Sequence, residues 1–172
     1  DALYLIAQKA DGALRDALSI FDRLSTFSQK NITLAKAAEV LNVLDYEQYL
    51  SIVDLAHENK ISETLFALNE IIKKGFDPHI FIAGLGSHFR DLMMAQNPHT
   101  LNLIEAGDKT KARFSEQSKK WNAQQLIDAI EICNHADINY KNSKNPRLTV
   151  EIALMQLSSL TAAGSEVKKK SI

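Results

Sequence analysis

The chain has 172 residues, enough for about one domain, and 45% of them are hydrophobic and 24% charged, as in globular proteins. Its 20 Lys and Arg residues nearly balance its 21 Asp and Glu residues. This balance disfavours a protein that wraps duplex DNA by bulk charge, although it leaves room for a local basic face. The single cysteine, Cys133, excludes an internal disulfide bond and a zinc site built from several thiolates.

The sequence also lacks the marks of a membrane or secreted protein. No stretch approaches the ~20 apolar residues that span a bilayer, and the first residues lack the basic region of a signal peptide. We therefore expect a cytoplasmic protein with no membrane segment. The chain starts at Asp1 rather than Met, which suggests a piece of something longer.

Apolar residues recur at intervals of three and four rather than two, which predicts roughly eight to nine helices and no strand. The first apolar stretch, residues 2–9, meets a stop signal at Asp11-Gly12. A second stretch has its apolar residues on one helical face, and these are Leu14, Ala17, Leu18, Phe21 and Leu24. A third, short helix follows an N-cap signal at residues 31–33. The fold class predicted from this pattern is all-α.

The starts of the later helices are predicted by two kinds of residue. One is a side chain that can cap a helix, and the other is a proline, which suits the first helical turn. These signals are Asp45, Asp77-Pro78, Asn122 and Pro146. Ser62 is a further candidate cap, and Gly75 is the natural stop of its helix. The helical spacing of apolar residues is irregular over residues 101–120. Residues 162–172 are predicted to be a frayed tail.

A search for catalytic motifs is negative. The sequence contains no HExxH, GxSxG or GxxxxGK[ST] motif, and its five histidines are scattered singly. Cys133 and His135 would point about 200° apart on a helix, so they cannot form a dyad or share a metal ion. Gly84 and Gly86 lie inside a predicted helix and indicate close helix packing rather than a nucleotide-binding turn. We predict no catalytic residue and no metal site.

Carboxylates are plentiful but show no diagnostic spacing. Asp16 follows Arg15, and Asp91 follows Arg90. Because adjacent residues diverge on a helix, we expect neither carboxylate to form an acid–base pair with its neighbour.

Two stretches stand out from this background. In the first, Arg15 follows a glycine turn at the beginning of a helix, between Leu14 and Leu18, which we expect to face the core. A guanidinium beside a helix N-terminus suits phosphate oxygens, although an ordinary solvated arginine remains the alternative. The second is the helix that begins at Pro146, which is apolar on most sides and is therefore predicted to be central. In it, Arg147 and Glu151 are spaced to form an ion pair.

The sequence ADGALRDALS at residues 10–19, with Asp22 following, resembles the end of the ATPase lid in bacterial DNA polymerase III gamma/tau subunits. Those subunits are the motor of the clamp loader. Residues 32–45 resemble the segment of that family that joins the lid to the collar domain. Residues 81–92 resemble its HxRDLL collar helix, and residues 146–157 resemble its last collar helix.

The resemblance implies a helical collar bundle preceded by an incomplete lid of the AAA+ type. Residues 1–44 would be the partial lid, residues 45–161 the collar or oligomerisation domain, and residues 162–172 the tail. It also implies that Arg15 is the sensor-2 arginine, which contacts the γ-phosphate of ATP in the intact parent only. No cofactor is expected in this chain, and ATP and magnesium are expected in the parent.

By the same resemblance, this chain is not an enzyme alone, and its parent is an ATPase subunit of a DNA polymerase holoenzyme that replicates DNA. Its expected partners are other clamp-loader subunits or copies of itself, through the collar. The sliding clamp and primer–template DNA are expected as partners of the intact complex only.

The alternative is a stand-alone helical module that binds nucleic acid or acts as an adaptor. It rests on a small basic patch with an adjacent aromatic residue, Trp121. The cations of this patch are Lys109, Lys111, Arg113, Lys119 and Lys120.

Overall fold

The computed structural model describes residues 2–28, 31–41 and 44–169, apart from the side chains of residues 8, 39 and 162–169. Within these ranges the chain forms ten helices and no strand, which confirms the all-α prediction. The helices are α1 (Ala2–Lys9), α2 (Leu14–Phe27), α3 (Leu34–Leu41), α4 (Tyr46–His57), α5 (Ile61–Lys73), α6 (Pro78–Ala95), α7 (Pro98–Leu101), α8 (Asp108–Ser118), α9 (Ala123–Tyr140) and α10 (Pro146–Lys169).

Helices α1, α2 and α3 pack against one another around a small apolar core of their own. The buried residues of this core are Leu5, Ile6, Leu24, Ala37 and Ala38. The predicted stop after α1 is confirmed, because Asp11 and Gly12 adopt positive φ angles of 47° and 80°. Glycine adopts such angles freely since it has no Cβ atom. The chain therefore reverses here and brings α2 back against α1.

The remaining seven helices form a bundle around a second, larger core. Helix α6 packs against α7, α8, α9 and α10, and most extensively against α9. Helix α10 packs against α4, α5, α6 and α9, as expected for the central helix predicted from its apolar sequence. Burial of apolar surface is the dominant favourable term in such a fold. The largest fully buried side chains of this bundle include Phe81, Phe89, Phe114, Leu126 and Leu154.

Gly84 and Gly86 allow side chains of neighbouring helices to approach the α6 backbone. A Cβ atom at Gly84 would overlap the hydroxyl oxygen of Tyr49 from α4. A Cβ atom at Gly86 would lie 3.1 Å from the Cβ atom of Cys133 in α9. The interpretation of these two glycines as a packing feature is confirmed.

Most of the predicted helix starts are observed. The side chain of Asp45 accepts the Gln48 N–H, and that of Asp77 accepts the His79 N–H at 2.7 Å. Asn122 forms a capping box with Gln125. The expected cap at Ser62 is wrong, because α5 already begins at Ile61 and Ser62 lies within its first turn.

The C-terminal boundary differs from expectation, because α10 continues to Lys169. The range 162–172, predicted as a frayed tail, therefore begins as helix, and residues 170–172 lie outside the described part. Five of the eight residues from 162 to 169 are Ala, Glu or Lys, which are strong helix formers and favour this continuation. None of the described helices combines the length and the hydropathy that a membrane crossing requires.

Candidate functional site

Arg15 is the second residue of α2 and is exposed. The residue before the helix, Ala13, provides no side-chain hydrogen bond to the first turn. The guanidinium and the uncapped N–H groups of the first turn therefore lie at the same end of α2. Such an arrangement is favourable for an anion.

The face of α2 next to Arg15 is apolar but lies at the surface. Leu14 and Leu18 are 74% and 57% exposed, and Phe21 is also exposed. The expectation that Leu14 and Leu18 face the core is therefore wrong. Leu24 is buried instead, and Ala17 and Ile20 pack against the same core, so the helix is rotated relative to the prediction.

A second exposed apolar surface lies on α10. One side of this helix places Val150, Leu154 and Leu157 in the core. The opposite side carries Leu148 and Ile152, which are 42% and 44% exposed. We call Leu148, Ile152 and the partly buried Met155, one turn beyond Ile152, the outer face of α10.

The ion pair predicted on α10 is present beside this face. Arg147 donates to the Glu151 carboxylate at 2.8 Å and also to the Asn69 side-chain oxygen of α5 at 3.3 Å. These contacts hold the exposed Arg147 side chain against α5. They leave the outer face of α10 open.

A buried polar network joins α4, α6 and α8. The Nε2 atom of His88 lies 2.9 Å from Oε1 of Gln117. The Gln117 amide nitrogen donates to the Leu50 carbonyl at 2.8 Å and to the Asp54 carboxylate at 3.0 Å. Lys120 also donates to Asp54, at 2.8 Å. The Leu50 carbonyl and the Asp54 carboxylate can only accept hydrogen bonds, so both contact the amide nitrogen of Gln117. The side-chain oxygen of Gln117 therefore faces His88, and His88 must donate from Nε2.

The surroundings of this network shift the pKa values of its members. Burial lowers the pKa of His88 to about 4, although the Gln117 hydrogen bond opposes this change. Partial burial raises the pKa of Asp54, but the hydrogen bonds from Lys120 and Gln117 outweigh it and lower that pKa overall. His88 is therefore a neutral packed residue at pH 7.

Arg90 and Asp91 form an ion pair although they are neighbours on α6. Both Nε and Nη2 of Arg90 donate to Oδ1 of Asp91, at 3.1 and 2.8 Å. The two Cβ atoms diverge on the helix, as expected, but the long arginine side chain folds back over the surface. Burial raises the pKa of Asp91, and the Arg90 guanidinium only partly offsets this effect.

Comparison with known families now assigns the chain. Residues 32–169 match the family described as DNA polymerase III subunits gamma and tau, domain III. The chain belongs to this family. The match covers α3 to α10, so the resemblance stated from the sequence motifs is confirmed.

Relatives of known identity agree with this assignment. The chain is 28% identical to the DNA polymerase III subunit tau of Bacillus subtilis over 156 residues, covering 91% of this chain and 28% of that protein. It is 24% identical to the DNA polymerase III subunit gamma of Buchnera aphidicola, covering 91% of this chain and 43% of that protein. It is also 30% identical to STICHEL-like 2 of Arabidopsis thaliana, covering 91% of this chain and 18% of that protein. The chain therefore spans less than half of each relative.

A solved structure shares the fold of this domain III. The clamp loader delta protein of Bacillus subtilis superposes with a TM-score of 0.60 and 18% identity. The superposition covers 90% of this chain and 49% of that protein. The arrangement of helices is thus that of a clamp-loader helical domain.

The basic patch of this domain III lacks the features of a nucleic-acid site. Trp121 is only 3% exposed, and its ring packs edge-on against Phe89 and His57. Arg113 pairs with Glu47, and Lys120 pairs with Asp54. No aromatic ring of the patch is therefore free for base stacking, and the alternative of a nucleic-acid module is not favoured.

Cys133 and His135 of the same domain point apart on α9, as predicted. Cys133 is buried and packs beside Gly86, whereas His135 is exposed. Burial raises the pKa of the Cys133 thiol, which makes it a poor nucleophile. The match to domain III begins at residue 32, so the role of Arg15 in α2 rests on the motif at residues 10–19 and remains a prediction.

Proposed function

We propose that this domain III is an assembly module that joins its subunit to copies of itself or to other clamp-loader subunits, and that it is not an enzyme by itself. The observation that supports this proposal is the outer face of α10. A helix that supplies the centre of the core on one side carries half-exposed Leu148 and Ile152 on the other. Adjacent exposed apolar side chains are typical of surfaces that bind another protein.

The kind of partner is supported by the relatives. The names of two matched proteins identify them as DNA polymerase III subunits, and the shared fold belongs to a clamp loader delta protein. We therefore propose that the partners of this domain III are clamp-loader subunits. Contact with the sliding clamp and primer–template DNA is assigned to the intact complex.

We expect a Leu148→Lys, Ile152→Lys double variant to weaken association by at least about tenfold, because two ammonium groups would have to be desolvated in the contact. Sedimentation velocity of the 172-residue chain at several concentrations, alone and with a delta-type clamp-loader subunit, measures this effect.

The control is Leu103→Lys, which changes an equally large and more exposed leucine outside the outer face of α10. It should leave association unchanged, and circular dichroism should show that all variants fold. A chain that stays monomeric at every concentration and also ignores the delta-type subunit would contradict the proposal.

We further propose that Arg15 contacts the γ-phosphate of ATP held with magnesium by another part of the parent subunit. Its exposure at the uncapped beginning of α2 supports this role, because the phosphate would meet both the guanidinium and the free N–H groups. A hydrogen bond to a charged group contributes roughly 1.5–3 kcal/mol net. The isolated chain should bind ATP weakly or not at all, since one guanidinium cannot replace a phosphate-binding loop.

In the full-length subunit that carries this chain, Arg15→Ala should therefore weaken ATP binding or slow its hydrolysis roughly 10- to 150-fold. Arg23→Ala changes another exposed arginine of α2, two turns further along, and should have little effect. Equal losses for the two variants, or no loss for Arg15→Ala, would count against the assignment.

A further inference from the structure

A groove of about 370 Å³ lies between α9 and α10, next to the outer face of α10. Ala136 and Ala153 line it and are buried where the two helices pack together. Their small methyl groups leave a depression between the larger side chains on either side. Ile152 lines the groove and also belongs to the outer face of α10. The groove and the outer face are therefore one continuous surface.

This surface offers an apolar ridge and an uncharged groove side by side. The described lining of the groove includes histidine, amide and hydroxyl groups but no Asp, Glu, Lys or Arg. Because a charge buried without a partner is costly, an occupant with charged side chains is disfavoured. Leu148, Ile152 and Met155 supply the uncharged apolar stripe that the groove requires, spaced along one side of a helix. Ridge and groove on the same patch suit a self-complementary contact between two copies.

Opposite charges lie beyond the two ends of the groove. Asp128 is on α9, one turn before the lining residue Ile132, and it accepts a hydrogen bond from Gln124 at 2.8 Å. Lys144 is exposed in the loop that joins α9 to α10, next to the lining residue Ser143. Neither charge forms an ion pair with another residue in the described part of the chain. Both are therefore available to a partner.

We propose that a second copy of this chain occupies this surface, with the two α10 helices antiparallel across a twofold axis near Ile152. The apolar ridge of each copy then lies over the groove of the other, and Lys144 of each copy faces Asp128 of the other. A parallel arrangement would instead bring like charges together, so the charges select the antiparallel one. This inference rests on the proposed assembly function and adds the identity and orientation of the partner.

The experiment reverses these charges in the 172-residue chain and measures self-association by sedimentation velocity at low ionic strength, where charges are least screened. Asp128→Lys and Lys144→Asp should each weaken self-association at least about fivefold, because either change places like charges at both ends of the contact. An equimolar mixture of the two variants should associate as tightly as the unsubstituted chain, because every pair between the two variants then joins opposite charges.

The matched controls are Lys109→Asp and Glu116→Lys, which make the same changes of charge at exposed sites on α8. They should leave self-association unchanged. Cysteine cross-linking is a second measurement that does not depend on the charge variants. Ile152→Cys should form a disulfide-linked dimer on mild oxidation, because the twofold axis places the two cysteines opposite each other. Leu103→Cys, at an exposed site outside this surface, should not.

The outcomes separate this inference from the proposed function on which it rests. A mixture that fails to restore association, or an Ile152→Cys chain that cross-links no faster than Leu103→Cys, would overturn the antiparallel contact. The assembly function would stand in that case if the Leu148→Lys, Ile152→Lys variant still lost its association. A chain that is monomeric at every concentration would also overturn this inference, and the assembly function would fail with it only if the delta-type subunit were ignored as well.

Discussion

Replacing Phe89 with alanine is expected to lower the free energy of unfolding by about 3–5 kcal/mol. Phe89 is fully buried in α6, and its ring packs edge-on against Trp121 with centroids 5.4 Å apart. Truncation removes the apolar surface of the ring and leaves a cavity that the surrounding helices close only in part. Because α6 packs against α7, α8, α9 and α10, the lost packing at Phe89 destabilises the whole bundle.

Urea unfolding followed by circular dichroism measures this effect. Phe66→Ala is the matched control, because Phe66 is also helical but mostly exposed on α5. Its removal should change the free energy of unfolding by less than about 0.5 kcal/mol. Similar losses for the two variants would mean that α6 is not the centre of the core.

Local signals were sufficient to place most helix starts. A capping side chain bonds to a backbone N–H only two or three residues away, as Asp45, Asp77 and Asn122 do. The sequence pattern that surrounds such a residue therefore contains nearly all the information needed. Ser62 has the right side chain for a cap, but α4 ends in a tight turn, with Asn59 at a φ of 54°, and α5 begins before Ser62.

Which side chains of a helix are buried depends on residues that are distant in the sequence, so local signals could not predict it. The rotation of α2 is set by packing against α1 and α3, so a local apolar stripe did not reveal that Leu14 and Leu18 are exposed. The burial of Trp121 depends on Phe89 and His57, which are far away in the sequence. The adjacent lysines therefore gave a misleading picture of an accessible aromatic residue.

The site residues follow the same division. Arg15 is identified by a local motif, because its place in the first turn of α2 follows from the turn at Asp11-Gly12. The network of His88, Gln117 and Asp54 has no sequence signature, because its members are separated by 29 to 63 residues and come from three helices.

Lowering the pH from about 6.5 to about 4 should destabilise the folded chain through His88. Burial lowers the pKa of this histidine from its ordinary 6.5 to about 4 in the folded state. Between these values the unfolded chain holds the extra proton and the folded chain does not, so acid favours unfolding. At 1.36 kcal/mol for each pKa unit, the loss amounts to about 3 kcal/mol and stops below about pH 4.

The measurement compares urea unfolding at several pH values for the unsubstituted chain and for His88→Gln. Glutamine keeps a donor for Gln117 but cannot be protonated, so the difference in stability between the two chains should shrink or change sign as the pH falls. Asp91 opposes the trend, because its raised pKa favours the folded state in acid, but it is common to both chains and cancels in the comparison. His135→Gln, at an exposed site on α9, should retain the full dependence. If His88→Gln and the unsubstituted chain lose stability in parallel between pH 6.5 and pH 4, the buried histidine is not the group that senses acid.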